Sequence, residues 1–141
     1  MKNLVILVDT NIILDYYEER EGHFEDAKRV LEYCTTSVIE GYMAFHSVSI
    51  IWCALRKAPQ QVRRNILREI TKLLTVTAAQ HSAVVDAVNN ESFSDFEDCL
   101  QAKCALQVNA DYIVTRNVKD FTASKVPAVT PAELLEIINN Q

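Results

Sequence analysis

Apolar positions run unbroken from Leu4 to Val8, stop at Asp9-Thr10-Asn11, and resume at once as Ile12-Ile13-Leu14. Five apolar residues, several branched, with no polar alternation predict a strand buried on both faces of a parallel sheet. Thr10 or Asp9 then caps a helix that begins at Asn11. Beyond it the apolar spacing becomes helical: Phe24, Ala27, Val30, Leu31 and Cys34 predict a helix over 24–34. Tyr42 to His46, after Gly41, reads as a short strand, with Ser47 or Ser49 capping a helix through Leu55. Pro59 suits the start of the next helix, which ends near Leu73. Leu74 to Thr77 reads as a strand and His81 to Val88 as a helix. Ser94-Asp95 starts a helix whose apolar face is Phe96, Cys99, Leu100 and Cys104. Tyr112 to Thr115 and Ala128-Val129 are strands, and Pro131 opens a last helix through Ile138. Strands alternating with helices imply an α/β fold, a parallel sheet flanked by helices. With no internal repeat and no linker, residues 1–141 are expected to form one domain.

Composition narrows the class. A chain of 141 residues that is 49% hydrophobic, with two Gly and three Pro, has material for a sizeable core and none of the marks of disorder. Its apolar runs fall short of the roughly 18–20 residues that cross a bilayer. Lys2 precedes a short apolar run that meets Asp9, which argues against a signal peptide. Cys34, Cys53, Cys99 and Cys104 lack CxxC pairing and sit in apolar patterns, so they are expected to be reduced, buried thiols of a cytoplasmic protein. His23, His46 and His81 are scattered without the spacing of zinc ligands, and His46 and His81, in apolar contexts, are expected to be packed. The net charge of −5 excludes a protein that simply coats nucleic acid, but its distribution is uneven. From Arg56 to Lys72 six basic residues face one acid, a local +5 that leaves about −10 on the rest. Within that stretch Arg64, Arg68 and Lys72 recur every fourth residue and form one helical stripe. Such a stripe reads as a solvated helix face or as a track for an RNA backbone.

Acids gather where strands end, the edge at which open parallel sheets bind ligands. Asp9 follows the first strand; Asp120 lies in the loop TRNVKDF after the strand beginning at Tyr112; Asp95, Glu97 and Asp98 fall in the first turn of a helix. Each alone reads equally as a helix cap or a loop residue. Brought to one sheet edge they would repel, and a hard divalent cation, Mg²⁺ or Mn²⁺, would remove the repulsion.

Three ordered segments, VDTN, DFEDCLQA and ADYIVTRNVKDF, resemble the signatures of the PIN-domain family over essentially the whole chain. The resemblance implies a three-layer α/β/α sandwich around a parallel sheet and Mg²⁺- or Mn²⁺-dependent cleavage of RNA. It also implies, for small bacterial members, a VapC-type toxin with an antitoxin partner, and the chain is expected to be a dimer. By motif, Asp9, Asp98 and Asp120 match acids of the metal site. Thr10 and Asn11 match the polar pair beside the first acid, and Thr115, Arg116 and Asn117 the polar loop before the last. Asp95 reads as a cap that biases the local field, and Glu97, about 100° around the helix from Asp98, as at most a secondary ligand. Arg116 reads equally as a phosphate contact or a surface ion pair.

One position departs from the pattern. Toxin members carry an acid at the start of the helix after the second strand, and here the region reads SVSIIWCALRK, with no acid between Glu40 and Glu69. Ser47 and Ser49 can hold a metal-bound water without replacing a carboxylate. The expected activity is phosphodiester hydrolysis by metal-activated water. The competing reading is a PIN-like module that binds RNA or a protein without cutting. A phosphoacceptor domain of response-regulator type would need paired acids after the first strand, which are missing.

Overall fold

A computed structural model of the chain describes residues 3–141; Lys2, noted above for its charge, lies outside them. Five parallel strands form one sheet in the order β3-β2-β1-β4-β5: β1 Leu4–Val8, β2 Ile39–Ala44, β3 Thr75–Thr77, β4 Tyr112–Val114 and β5 Ala128–Val129. Among the described residues seven α-helices cover it: α1 Thr10–Tyr17, α2 Phe24–Tyr33, α3 Phe45–Ala54, α4 Gln60–Leu73, α5 His81–Asn89, α6 Phe96–Gln107 and α7 Pro131–Asn139. This is the three-layer α/β/α sandwich.

The unbroken apolar run of β1 is explained by its two faces. Ile6 and Val8 enter a core built with α1, α2, α3, α4 and α7, whereas Leu7 enters a second core with Ala102, Cys104 and Ala105 of α6. A strand with one wet face would have alternated. The sheet grows outward from β1 in both directions, first through β2 and β3, then through β4 and β5. Its topological switch point therefore lies between β1 and β4, where a crevice opens at the carboxyl ends.

Several expectations shift. Gly41 does not precede the second strand but sits inside it, because a Cβ there would lie 2.7 Å from both Cys34 Sγ and Leu74 Cδ2. The chain turns into α3 at Phe45, so His46 is helical, and Ala44 rather than Ser47 or Ser49 holds the N-cap position. Phe96, assigned to an apolar face, is 49% exposed, and His81 is exposed rather than packed. The four cysteines are free thiols as expected, but only Cys99 and Cys104 are buried, Cys34 being half-buried and Cys53 exposed. No helix among the described residues is long and apolar enough to cross a membrane.

Candidate functional site

Asp9 ends β1 and holds the N-cap position of α1, yet its carboxylate is turned to the neighbouring strand end. Thr115 Oγ1, one residue past β4, donates to Asp9 Oδ2 at 2.9 Å, and the Asp9 amide donates to Val114 at 3.0 Å. The β1/β4 pairing that creates the switch point thus also fixes the carboxylate. Asp98 stands in the first turn of α6, whose cap Asp95 accepts from the Asp98 amide at 3.1 Å. Asp120 is carried by a 3-10 turn, Val118–Phe121, anchored by the buried Phe121. A pocket of about 220 Å³ is lined by these acids together with Glu97, Thr10, Asn11, Ile50, Gln101 and Asn117.

The acids feel one another. Burial pushes the Asp98 carboxyl up to about 7, helped by the charges of Asp95, Asp9, Asp120 and Glu97. Asp9 is also raised, first by burial and slightly by Asp120; the Thr115 hydroxyl, the Thr10 amide and the Arg116 charge oppose the rise. Among the described residues no three His, Cys, Asp or Glu side chains stand close enough to enclose a metal ion, so the acids form an open pocket, not a closed cage. The lining donors are oxygens, apart from the amide nitrogens of Asn and Gln, and the repulsion among carboxylates is of the kind a divalent cation relieves; on both counts the residues fit a hard ion.

Ser47 is fully buried beneath the pocket. Its hydroxyl bonds Thr10 Oγ1 at 2.7 Å and accepts from Gln101 Nε2 at 2.9 Å. Ser49 is exposed, donates to the His46 carbonyl and does not line the acid pocket. The α3 residue that faces the pocket is Ile50, an apolar side chain where the family pattern led us to expect an acid. His46 is partly buried, with its pKa lowered by burial against the partial support of Glu97.

Arg116 turns from the pocket to a residue that sequence reasoning passed over. Its Nε lies 3.0 Å from Oδ2 of the fully buried Asp15, an ion pair whose angle falls outside hydrogen-bond alignment, while Arg20 reaches Oδ1 at 3.4 Å. Asp15 follows Ile12 by three residues on the buried face of α1, and an acid on an apolar face was a signal available in the sequence. Gln101 was likewise passed over, although it follows Asp98 by one helical turn.

Arg64 and Arg68 are elsewhere, on α4. With Trp52, Leu67 and Thr71 they line a groove of about 450 Å³ between α3 and α4, and Lys72 lies outside that lining. The Arg63 guanidinium stacks over the Trp52 ring at 4.1 Å, with Arg64 at 5.8 Å.

A comparison with curated proteins finds no match. Among solved structures, the fold is similar to VapBC-1 from nontypeable Haemophilus influenzae, at 18% identity and a TM-score of 0.68, over 92% of this chain and 99% of that one. It is also similar to a toxin–antitoxin complex from Klebsiella pneumoniae, at 19% identity and a TM-score of 0.66, covering 89% and 97%. PAE2754 from Pyrobaculum aerophilum matches at 14% identity and a TM-score of 0.62, covering 98% and 97%. The sequence itself matches the PIN domain over residues 5–119, so the chain belongs to the PIN-domain family, whose members of VapC type are generally nucleases.

Proposed function

We propose that the chain is a metal-dependent endoribonuclease of VapC type, a cytoplasmic toxin held in check by an antitoxin, its residues 1–141 acting as one domain. The observation that carries this reading is the meeting of Asp9, Asp98 and Asp120 in one pocket at the sheet's switch point. Asp9 and Asp98 would be the principal ligands of Mg²⁺ or Mn²⁺, with Asp120 acting through water, since three of the acids do not stand close enough to enclose the ion. Thr115 keeps the Asp9 oxygen in place, and Thr10, Asn11 and Asn117 offer neutral polar groups to substrate or water. When bound, the cation supplies acidified water and neutralises charge on the phosphoryl oxygens. Arg116, tethered by Asp15, adds fixed positive charge beside Asp9.

The antitoxin is supported by the fold neighbours, one of which is described as a toxin–antitoxin complex. A dimer is supported by exposed apolar side chains, Val85 and Val88 on α5 and Phe96 on the adjoining α6. Cleavage of a structured RNA in Mn²⁺ by wild type, Asp9→Asn and Asp98→Asn tests the enzyme. We expect both variants to lose cutting by about 100-fold or more while each still melts as a folded protein, a loss of the size that removing a transition-state contact produces. Equal cutting by all three would overturn the reading. Ile50 in the pocket favours a second reading, a module that binds RNA without cutting it. Tight RNA binding by a wild type that leaves RNA intact at every Mn²⁺ concentration would establish that module instead.

A further inference from the structure

Gln101 is only 2% exposed, yet it lines the acid pocket, one helical turn from Asp98 on the same face of α6. Its Nε2 is fully committed, donating to Thr10 Oγ1 at 3.1 Å and to Ser47 Oγ at 2.9 Å, and those two hydroxyls are themselves 2.7 Å apart. Its Oε1 is buried and has no partner. Buried polar atoms are rarely left so, and each calls for a reason. The chemistry of the surroundings makes this one pointed. The bond between the two hydroxyls uses one of their two protons, so an amide oxygen in that place could accept from only one of them, whereas the amide nitrogen donates to both. Beside carboxylates, an amide would ordinarily present its nitrogen, the donor end. Here the nitrogen is spent on Thr10 and Ser47, and the oxygen of this pocket-lining residue is left without a partner. Only an oxygen can serve a cation.

We propose that Gln101 Oε1 is a neutral oxygen ligand of the divalent cation, or of a water bound to it, and that it fills part of the coordination left open by the absent acid on α3. This rests on the metal-site reading above. The hydroxyl pair formed by Thr10 and Ser47 has a defined part in it: the pair holds the amide in the orientation that offers oxygen. Ser47 therefore supports the site from beneath, without reaching the ion. The amide carries no charge, so it completes the shell without adding the attraction that a carboxylate would.

The test is Mn²⁺ binding by calorimetry on wild type, Gln101→Leu, Gln101→Glu and Asp9→Asn, each checked for folding by its melting curve. Gln101→Leu keeps the bulk and removes the oxygen; its Mn²⁺ affinity should fall by about tenfold or more, the scale on which ligand-supporting groups act. Gln101→Glu keeps an oxygen, can still accept from one hydroxyl of the Thr10–Ser47 pair, and adds a charge, so it should bind Mn²⁺ more tightly than wild type. Where Gln101→Leu does not fold, the comparison of Gln101→Glu with wild type decides alone. Unchanged affinity in Gln101→Leu, with binding lost in Asp9→Asn, would overturn the role of Gln101 and leave the metal site standing. Weaker binding in both Gln101 variants would also overturn it, because Gln101 would then act only by bracing Thr10. Wild-type affinity in Asp9→Asn would remove the metal site itself, and this inference with it.

Discussion

Asp98 carries the strongest electrostatic mark in the pocket. Its carboxyl, ordinarily near 3.8, is held at about 7 by burial and by its acidic neighbours, so the folded chain binds that proton more tightly than the unfolded chain does. Its favourable contribution is therefore complete below about pH 4 and is lost as pH rises through 7. In chelator, urea midpoints of Asp98→Asn should gain on those of wild type steadily between pH 4 and 7.5. A difference that stays flat across that window would show that the carboxyl is not strained. Ile50 poses the complementary question, because it puts an apolar surface where one more charge would help. Ile50→Glu should tighten Mn²⁺ binding by about tenfold or more, since tenfold is only about 1.4 kcal/mol and a close charge pair near a protein surface can supply several. In chelator the same variant should melt lower than wild type, having one more repelling carboxylate. If Mn²⁺ shifts its melting no further than that of wild type, Ile50 does not stand where the missing ligand would. The same change at Ser49, exposed and outside the pocket lining, serves as the control.

At the scale of elements, what was legible from sequence was whatever depends on local pattern. The buried run of β1, Pro59 ahead of α4, the Asp95 cap and Pro131 opening α7 each declare themselves within a few residues, and each forms as expected. Thr130 and Glu133 even complete a reciprocal capping box at α7. What was not legible depends on contacts between distant segments. Gly41 looks like a break between elements, yet it lies inside β2 because Cys34 and Leu74 press against that point from α2 and from the end of α4. Reading the glycine as a break displaced the strand and delayed the cap of α3 from Ala44 to Ser47 or Ser49, by three or five residues. Gly41→Ala should cost about 1–3 kcal/mol through overpacking, read as a lower urea midpoint with an unchanged slope. A neutral result would mean that the Cys34 and Leu74 side chains yield freely. The site follows the same rule. Acids at strand ends are visible in sequence, but the pairing of Asp15 with Arg116 and the contact of Gln101 with Thr10 and Ser47 join residues 101, 91 and 54 positions apart. Nothing local announces them.

Over the whole molecule, charge is divided between two places that α3 connects. Ile50 on α3 lines the acid pocket, and Trp52 on the same helix lines the groove that holds Arg64 and Arg68. The surroundings of that groove carry the +5 of residues 56–72, set against about −10 elsewhere. An RNA chain gains nothing from an acid pocket until a cation occupies it, so its first attraction should be to the basic groove, with Trp52 offering a face for an unpaired base. This separates binding from cutting. The double variant Arg64→Ala/Arg68→Ala should bind single-stranded RNA more weakly, and its log affinity should fall less steeply with log salt, by about 1.4 in slope for two lost phosphate contacts. Asp9→Asn in the same assay should keep the wild-type slope, because it removes no phosphate contact. Lys72, outside the groove, should change the slope less than either arginine. Filter binding from 50 to 300 mM salt, in chelator so that no protein cuts, compares wild type, the double variant, Asp9→Asn and Lys72→Ala. If the double variant keeps both the affinity and the slope of wild type, the basic face of α4 is only a solvated surface, and RNA must reach the acids by another route.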